Sequence, residues 1–431
     1  MGPNLICDKS TLQALNPAEL TALRRYYSLN IPPILLVEIL GDLKKHADSK
    51  AGRNEVQILA NKLMPACSSV NTNFRHMIQG ELFGHPLPMD GRPVLSTGKN
   101  VIASDGKRGV IFETSAEETA LFRWQSGEFN EAEQLMAEAW RQSTVSIDLE
   151  GMQRHLKGAY SGKLNLQSLA ATAKFVDELV LTISPKLLLA WFLQDIGMFG
   201  DKALKAIERF DKALPGSLQM AVPYTAFCVR TTLFFYFALA FDLVSTRATN
   251  RIDLEYFYYT PCCNAFSSGD NFHRKIAPFI MGDRVFADRD KLKNDLKQLA
   301  GWWEQLSSDQ REKELDVSGP PENEESLTHQ LWQKVMMVGY KNQKHSDKNV
   351  PPEVSAKIYE RLQQQIKEGK PTDQPFNESM DDCEFMAIKH TVRLNGPCIC
   401  SSGKLFKDCC GRKLMGPANC HGAGRQPIDP A

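Results

Sequence analysis

Four cysteines near the C-terminal end, Cys398, Cys400, Cys409 and Cys410, stand in the segment NGPCICSSGKLFKDCCGRK. Their spacing is Cys-x-Cys, eight residues, then Cys-Cys. Zn²⁺ takes four thiolates in a tetrahedron at about 2.3 Å, and two close pairs joined by a turn can wrap one ion. Gly396, Gly403 and Gly411 let the backbone bend tightly around it. So small a segment cannot bury a core, so the metal would supply its folding energy. Cys420 and His421 are surplus to a four-ligand site. Four thiolates leave no open position for a substrate, which predicts a structural zinc rather than a catalytic one.

A second set of residues carries negative charge in distinctive places. Asp8 ends the apolar run NLIC, two residues before Ser10. Glu38 lies inside the apolar helix segment ILLVEIL. Asp253 opens DLEYFYY, and Asp270 follows CCNAF in the segment SSGD, after Ser268. Each has an ordinary explanation taken alone. Asp8 and Asp253 could cap helices, Glu38 could be solvated at a helix end, and Asp270 could serve a turn. Together they suggest more. Asp8 and Asp270 both fall at the carboxyl ends of predicted strands, the edge where ligands bind in open α/β sheets. A carboxylate within an apolar helix beside that edge is costly unless a cation balances it. A divalent Mg²⁺ or Mn²⁺ prefers such oxygen donors and keeps waters, as phosphodiester hydrolysis requires.

On these residues the chain resembles two families. NLICDKS with Asp8 and Ser10, PPILLVEILGDL with Glu38, RIDLEYFYY with Asp253 and SSGD with Ser268 and Asp270 look like a PIN-domain nuclease. That resemblance covers residues 4–48 and 250–300 and implies an endoribonuclease. Asp8, Asp253 and Asp270 would hold Mg²⁺ or Mn²⁺, Glu38 would complete the acidic centre, and Ser10 and Ser268 would orient a carboxylate or water. The chain departs from that pattern in its long interruption and in Lys9 beside the first aspartate. The cysteine segment resembles the SEC-C motif, the zinc-binding tail of the bacterial preprotein translocase motor. Cys398, Cys400, Ser402, Gly403, Lys404, Lys407, Cys409, Cys410 and Gly411 match it, whereas Ile399, Ser401 and Asp408 do not. The motif implies a docking surface for a protein partner or the ribosome.

The elements that must position these groups can be read from capping and punctuation. Asn4–Cys7 reads as a strand. Asn16-Pro17 starts a helix running to about Tyr27, and Pro32-Pro33 precedes a second helix carrying Glu38. Asp105-Gly106 lies between apolar runs and suggests a hairpin. Ser115 and Glu118 form a capping box, and the helix they open breaks at Gly127. Arg251–Tyr259 reads as a helix ended by Pro261, CCNAF as a strand, Arg284–Ala287 as a last strand and Asp290–Leu306 as a charged helix. Two amphipathic helices follow, at about 325–340 and 352–368. The expected fold is α/β, a parallel sheet flanked by helices and split by a mainly helical insertion. Its parts would be 1–49, the insertion at 50–249, the second half at 250–306, a helical linker region at 307–385 and the zinc-binding tail at 386–431.

Composition sets limits. The chain has 431 residues, with 51 basic and 51 acidic, so formal net charge is zero. This excludes a protein that coats nucleic acid through a strong positive field. Eleven cysteines, an odd number spread over a long chain, are not a secreted disulfide framework and predict a reducing cytoplasm. MGPNLICDKS is not a signal peptide. TTLFFYFALAFDLV is too short to span a bilayer, carries Asp242 and reads as a buried helix, so no membrane partner is expected. His273, three residues after Asp270, is read as a phosphate contact or a surface histidine. The run Tyr256–Tyr259 is read as base-stacking or core. Arg274, Lys275, Arg284, Arg289, Lys291, Lys293 and Lys297 either track a phosphate backbone or form a solvated face. Two functions compete: a PIN-like ribonuclease with a zinc docking tail, and a non-catalytic adaptor that binds a protein partner through its helices and knuckle.

Overall fold

The computed structural model describes residues 2–336 apart from 46–48, 64–67, 97, 103–107, 113, 161, 163, 199, 201–202, 204, 209–216 and 312–318. The four-cysteine segment and the helix expected at 352–368 lie outside the described residues. The chain divides into two compact units, one of residues 1–98 and 112–352, the other of 99–111 and 353–431.

The first unit is α/β. Its sheet holds five parallel strands, β1 (Asn4–Cys7), β2 (Ser28–Ile31), β3 (Ser68–Val70), β6 (Ala265–Ser268) and β7 (Val285–Asp288), in the order β3-β2-β1-β6-β7. β4 (Gly98–Ile102) and β5 (Arg108–Phe112) form a separate two-stranded sheet where the sequence suggests its hairpin. A parallel sheet is covered on both faces, so its strands read as continuous apolar runs. Accordingly Leu5, Ile6, Ala265 and Phe266 are fully buried. The strand order reverses between β1 and β6, the kind of switch point at which α/β sheets open a crevice.

Helices connect the strands. α1 (Lys9–Ala14) and α2 (Pro17–Tyr26) lead to β2, then α3 (Pro33–Leu40) and α4 (Ser49–Leu63) lead to β3. Asn16 caps α2 through the capping box its sequence announces. From α5 (Phe74–Leu82) the chain is mainly helical, with α6 (Ala116–Gln125), α7 (Glu131–Val145), α8 (Leu149–Tyr160), α9 (Leu169–Thr182), α10 (Pro185–Asp195), α11 (Leu218–Ala221) and α12 (Pro223–Ala240). α13 (Thr249–Phe257) returns it to β6, α14 (Asn271–Ile280) joins β6 to β7, and α15 (Arg289–Gln305) follows. Ser115 and Glu118 form the expected box on α6. Among the described residues no helix is long and apolar enough to cross a membrane. The apolar stretch is instead core, with Phe234, Phe235 and Leu239 on α12 fully buried.

Several positions differ from expectation. The sequence reading left the remaining strands unplaced. They are β2 and β3, and β3 falls at 68–70 within the stretch assigned to the insertion. The strand read as CCNAF begins only at Ala265, because Pro261 and Cys262 close a 3-10 turn before it. α16 (Leu327–Val335), in the expected linker region, is docked on the α/β unit. Asp295 accepts from the backbone N–H groups of Leu327 and Thr328, each at 3.0 Å, and Trp332 Nε1 donates to Tyr26 O at 2.9 Å.

One buried carboxylate ties together two helices of the insertion that are far apart in sequence. α12 begins at Pro223 with no cap from its own flank. Glu81, at the end of α5, supplies it by accepting from Tyr224 N (2.9 Å), Thr225 N (2.7 Å) and Thr225 Oγ1 (2.9 Å). A carboxylate here also meets the positive end of the helix dipole. Glu81→Ala would leave three buried donors unpaired, at a cost of about 3 kcal/mol. A lower denaturant midpoint with unchanged m-value should report it, and Glu81→Gln should lose less.

Candidate functional site

Asp8 and Asp270 meet at the seam between β1 and β6. Both are also helix N-caps, Asp8 for α1 and Asp270 for α14, because each strand ends directly at a helix start. Ser268 Oγ donates to Asp8 Oδ2 at 2.6 Å and accepts from the Asp270 backbone N–H at 2.9 Å. Ser10 Oγ lies 2.9 Å from both Asp8 oxygens and accepts from Gly269 N–H at 3.1 Å. Thr11 N–H donates to Asp8 Oδ1 at 2.8 Å. Both serines thus hydrogen-bond the first aspartate.

His273 is neither a surface residue nor positioned as a phosphate contact, because it is buried at 1 % exposure behind Asp8. Its Nε2 lies 2.9 Å from the Asp253 carbonyl oxygen, which can only accept, so Nε2 carries a proton. Its Nδ1 lies 2.8 Å from Ser268 Oγ, whose own proton is committed to Asp8. A protonated ring would donate from Nδ1 as well and would place its charge 3.7 Å from Asp8 Oδ2. Burial opposes this charge, but Asp8 and Asp253 outweigh it and raise the His273 pKa. Burial likewise opposes ionisation of Asp8, yet His273, Ser268 and the Thr11 N–H together hold its carboxyl below the usual range.

Glu38 and Asp253 complete the cluster. Asp253 lies in the second turn of α13 rather than at its cap, which falls at Ala248. It is 8 % exposed, and among the described residues its buried Oδ2 has no hydrogen-bond partner. Burial pushes its carboxyl up to about 6, helped by Asp270 and Asp8 and opposed by His273 and Arg247. Tyr256, three residues further along α13, donates to Glu38 Oε2. Burial with the charges of Asp253 and Asp8 pushes Glu38 up to about 7, against the Tyr256 hydrogen bond and Lys9. Such mutual effects show that the four acids are electrostatic neighbours. Tyr256, Phe257, Tyr258 and Tyr259 are core rather than stacking platforms.

Lys9 is turned away from Asp8. Its Nζ pairs with Asp42 at 2.5 Å and donates to the Glu38 backbone oxygen at 3.3 Å. Three of the seven basic residues read as possible backbone trackers are engaged in structure. Arg274 bonds Asp288, Lys293 pairs with Glu19, and Arg284 donates to Met89 O. Sequence reading missed three residues. Asp288 ends β7 and caps α15, repeating the strand-Asp-helix pattern of Asp8 and Asp270. The segment VFADR carried that signal. Arg247, 3.5 Å from Asp270 Oδ2, and Tyr256 as the partner of Glu38 had none. Among the described residues no three His, Cys, Asp or Glu side chains are gathered closely enough to chelate an ion directly.

The chain carries a SEC-C motif. It is matched over residues 395–412, which include Cys398, Cys400, Cys409 and Cys410. No curated protein and no solved structure matches the chain.

The charge balance behind Asp8 gives a direct expectation. Ser268→Ala removes the hydroxyl shared by Asp8, His273 and the Asp270 backbone and should cost about 2 kcal/mol. His273→Ala leaves Asp8 buried without its cation and should cost about 3–5 kcal/mol. Chemical unfolding of the two variants beside the parent reads both. A smaller loss for His273→Ala than for Ser268→Ala would contradict the charged assignment.

Proposed function

We propose that this protein is a metal-dependent phosphodiester hydrolase, a PIN-like endoribonuclease, with the SEC-C segment as a zinc-bound docking tail. The observation that carries the reading is the shared hydroxyl of Ser268. It joins Asp8, 260 residues away in the chain, to the Asp270 turn at the switch point of the sheet.

The residues present fit a hard divalent ion. Asp253 offers a buried carboxylate oxygen without a partner among the described residues, and two of the four carboxyls are pushed toward neutrality by burial first and by neighbouring acids second. Added positive charge would relieve both conditions. Mg²⁺ is commonly held by one or two carboxylates, waters and substrate phosphate rather than by a closed protein cage, which suits a cluster with no tight triad. Asp8, Asp253 and Asp270 would hold the Mg²⁺ or Mn²⁺, with Glu38 completing the negative set. When bound, such an ion acidifies a water and offsets charge on the phosphate and leaving oxygen.

The chain's own residues fix the arrangement. Ser10 and Ser268 orient the Asp8 oxygens, Tyr256 holds Glu38, and His273 balances Asp8 from the protein side. The zinc tail adds docking to a protein partner or the ribosome, since four thiolates leave no place for substrate chemistry.

The test is cleavage of structured and single-stranded RNA with Mn²⁺ by the full chain. Asp270→Asn should abolish it without unfolding, because asparagine caps a helix as well as aspartate, and Asp8→Asn should abolish it with a loss of stability, because it leaves His273 without its counter-charge. Equal cleavage by parent and variants would mean a contaminating nuclease and favour the adaptor. The tail should carry about one zinc per chain. Cys409→Ser should lose that zinc on elemental analysis while RNA cleavage persists, which separates docking from hydrolysis.

A further inference from the structure

An acidic cluster repels the phosphates of a nucleic acid, so a site of this kind needs cations at its rim as well as at its centre. Two arginines occupy such a rim. Arg289, the first residue of α15, lies over the Gly269 backbone in the SSGD turn. A Cβ at Gly269 would stand 2.7 Å from the Arg289 Cζ and Nη1, so the guanidinium sits there only because position 269 lacks a side chain. The charge of Arg289 interacts with Asp8 and Asp288. Arg247 approaches the same turn from the loop before α13, with Nη1 3.5 Å from Asp270 Oδ2.

Both groups are open to exchange. The Arg289 side chain is 32 % exposed and that of Arg247 is 62 % exposed. Arg289 uses Nε and Nη2 on Asp290, itself largely in solvent, and among the described residues its Nη1 makes no hydrogen bond. Exposed pairs of this sort hold little energy. Other basic groups nearby are committed. Arg274 uses Nε and Nη2 on Asp288 and Nη1 on Asn271, and Lys9 is held by Asp42. A planar guanidinium matches two phosphate oxygens at once.

We infer that Arg289 and Arg247 are positioning residues that hold the phosphodiester backbone of single-stranded RNA beside Asp270. The inference rests on the hydrolase reading for its catalytic meaning, but the binding it describes stands or falls separately. Gly269 is part of the device, since it seats Arg289 on the turn.

The experiment measures binding of a fluorescent single-stranded RNA to the full chain without added divalent cation, over a series of salt concentrations. Arg289→Ala and Arg247→Ala should each weaken binding about tenfold and lower the slope of log affinity against log salt by about 0.7. Gly269→Ala keeps every charge but displaces Arg289, and should weaken binding and reduce the slope as Arg289→Ala does. Failure of the parent to bind, or binding by these variants that equals the parent's, overturns the inference. With Mn²⁺ added, an arginine variant should raise KM with little change in kcat. A parent that binds RNA through the arginines yet never cleaves it would overturn the hydrolase reading and leave the phosphate contacts in place.

Discussion

The pairing of β1 with β6 is the constraint on which the site depends. Leu5 stands opposite Ala265, Ile6 opposite Phe266 and Cys7 opposite Ser267. The pairing is closed at one end by Asn264 N–H donating to Asn4 O at 2.8 Å and at the other by Asp8 N–H donating to Ser267 O at 3.0 Å. Because side chains alternate between faces and both faces are packed, a slip of one residue would move Leu5, Ile6 and Phe266 into places shaped for other side chains. The core therefore fixes the register, and the register brings the Ser268 hydroxyl to Asp8. Apolar packing sets the geometry of a polar centre that contributes none of the burial itself.

Charge follows from that geometry. Four carboxyls crowd one end of the sheet, and the fold offsets only part of their repulsion. His273 balances Asp8 from beneath, Tyr256 donates to Glu38, and Arg247 approaches Asp270. Among the described residues Asp253 keeps a buried oxygen without a partner, a cost the fold bears because buried polar atoms are nearly always satisfied.

The sequence made the seam legible because its signals are local. NLICD and the turn SSGD each place an acid where an apolar run stops, and the capping boxes of α2 and α6 announce their helices. β2 and β3 escaped notice for physical reasons. SLNI mixes polar with apolar residues, and β3 has three residues, so neither shows a period long enough to read. His273 misled because its surroundings come from afar. The rings of Tyr256, Phe257, Phe266 and Phe272 enclose it at 4.9–5.9 Å, and only Phe272 is its neighbour in sequence. The position of Arg289 depended likewise on a contact with Gly269 that spacing does not express. Lys9 looked like an obstacle beside Asp8, and only the 3-10 turn carrying Asp42 shows where its charge goes.

The strand order also governs how the chain can be made. β1 is central in the finished sheet, yet its partner β6 begins only at Ala265, after β3 has closed the other side at Val70. A ribosome adding roughly 5–20 residues per second needs on the order of ten to forty seconds to supply residues 71–264. Throughout that interval β1 has an open edge of unpaired backbone groups, the kind of edge that recruits foreign strands. Synthesis thus separates the two halves of the sheet in time as well as in sequence.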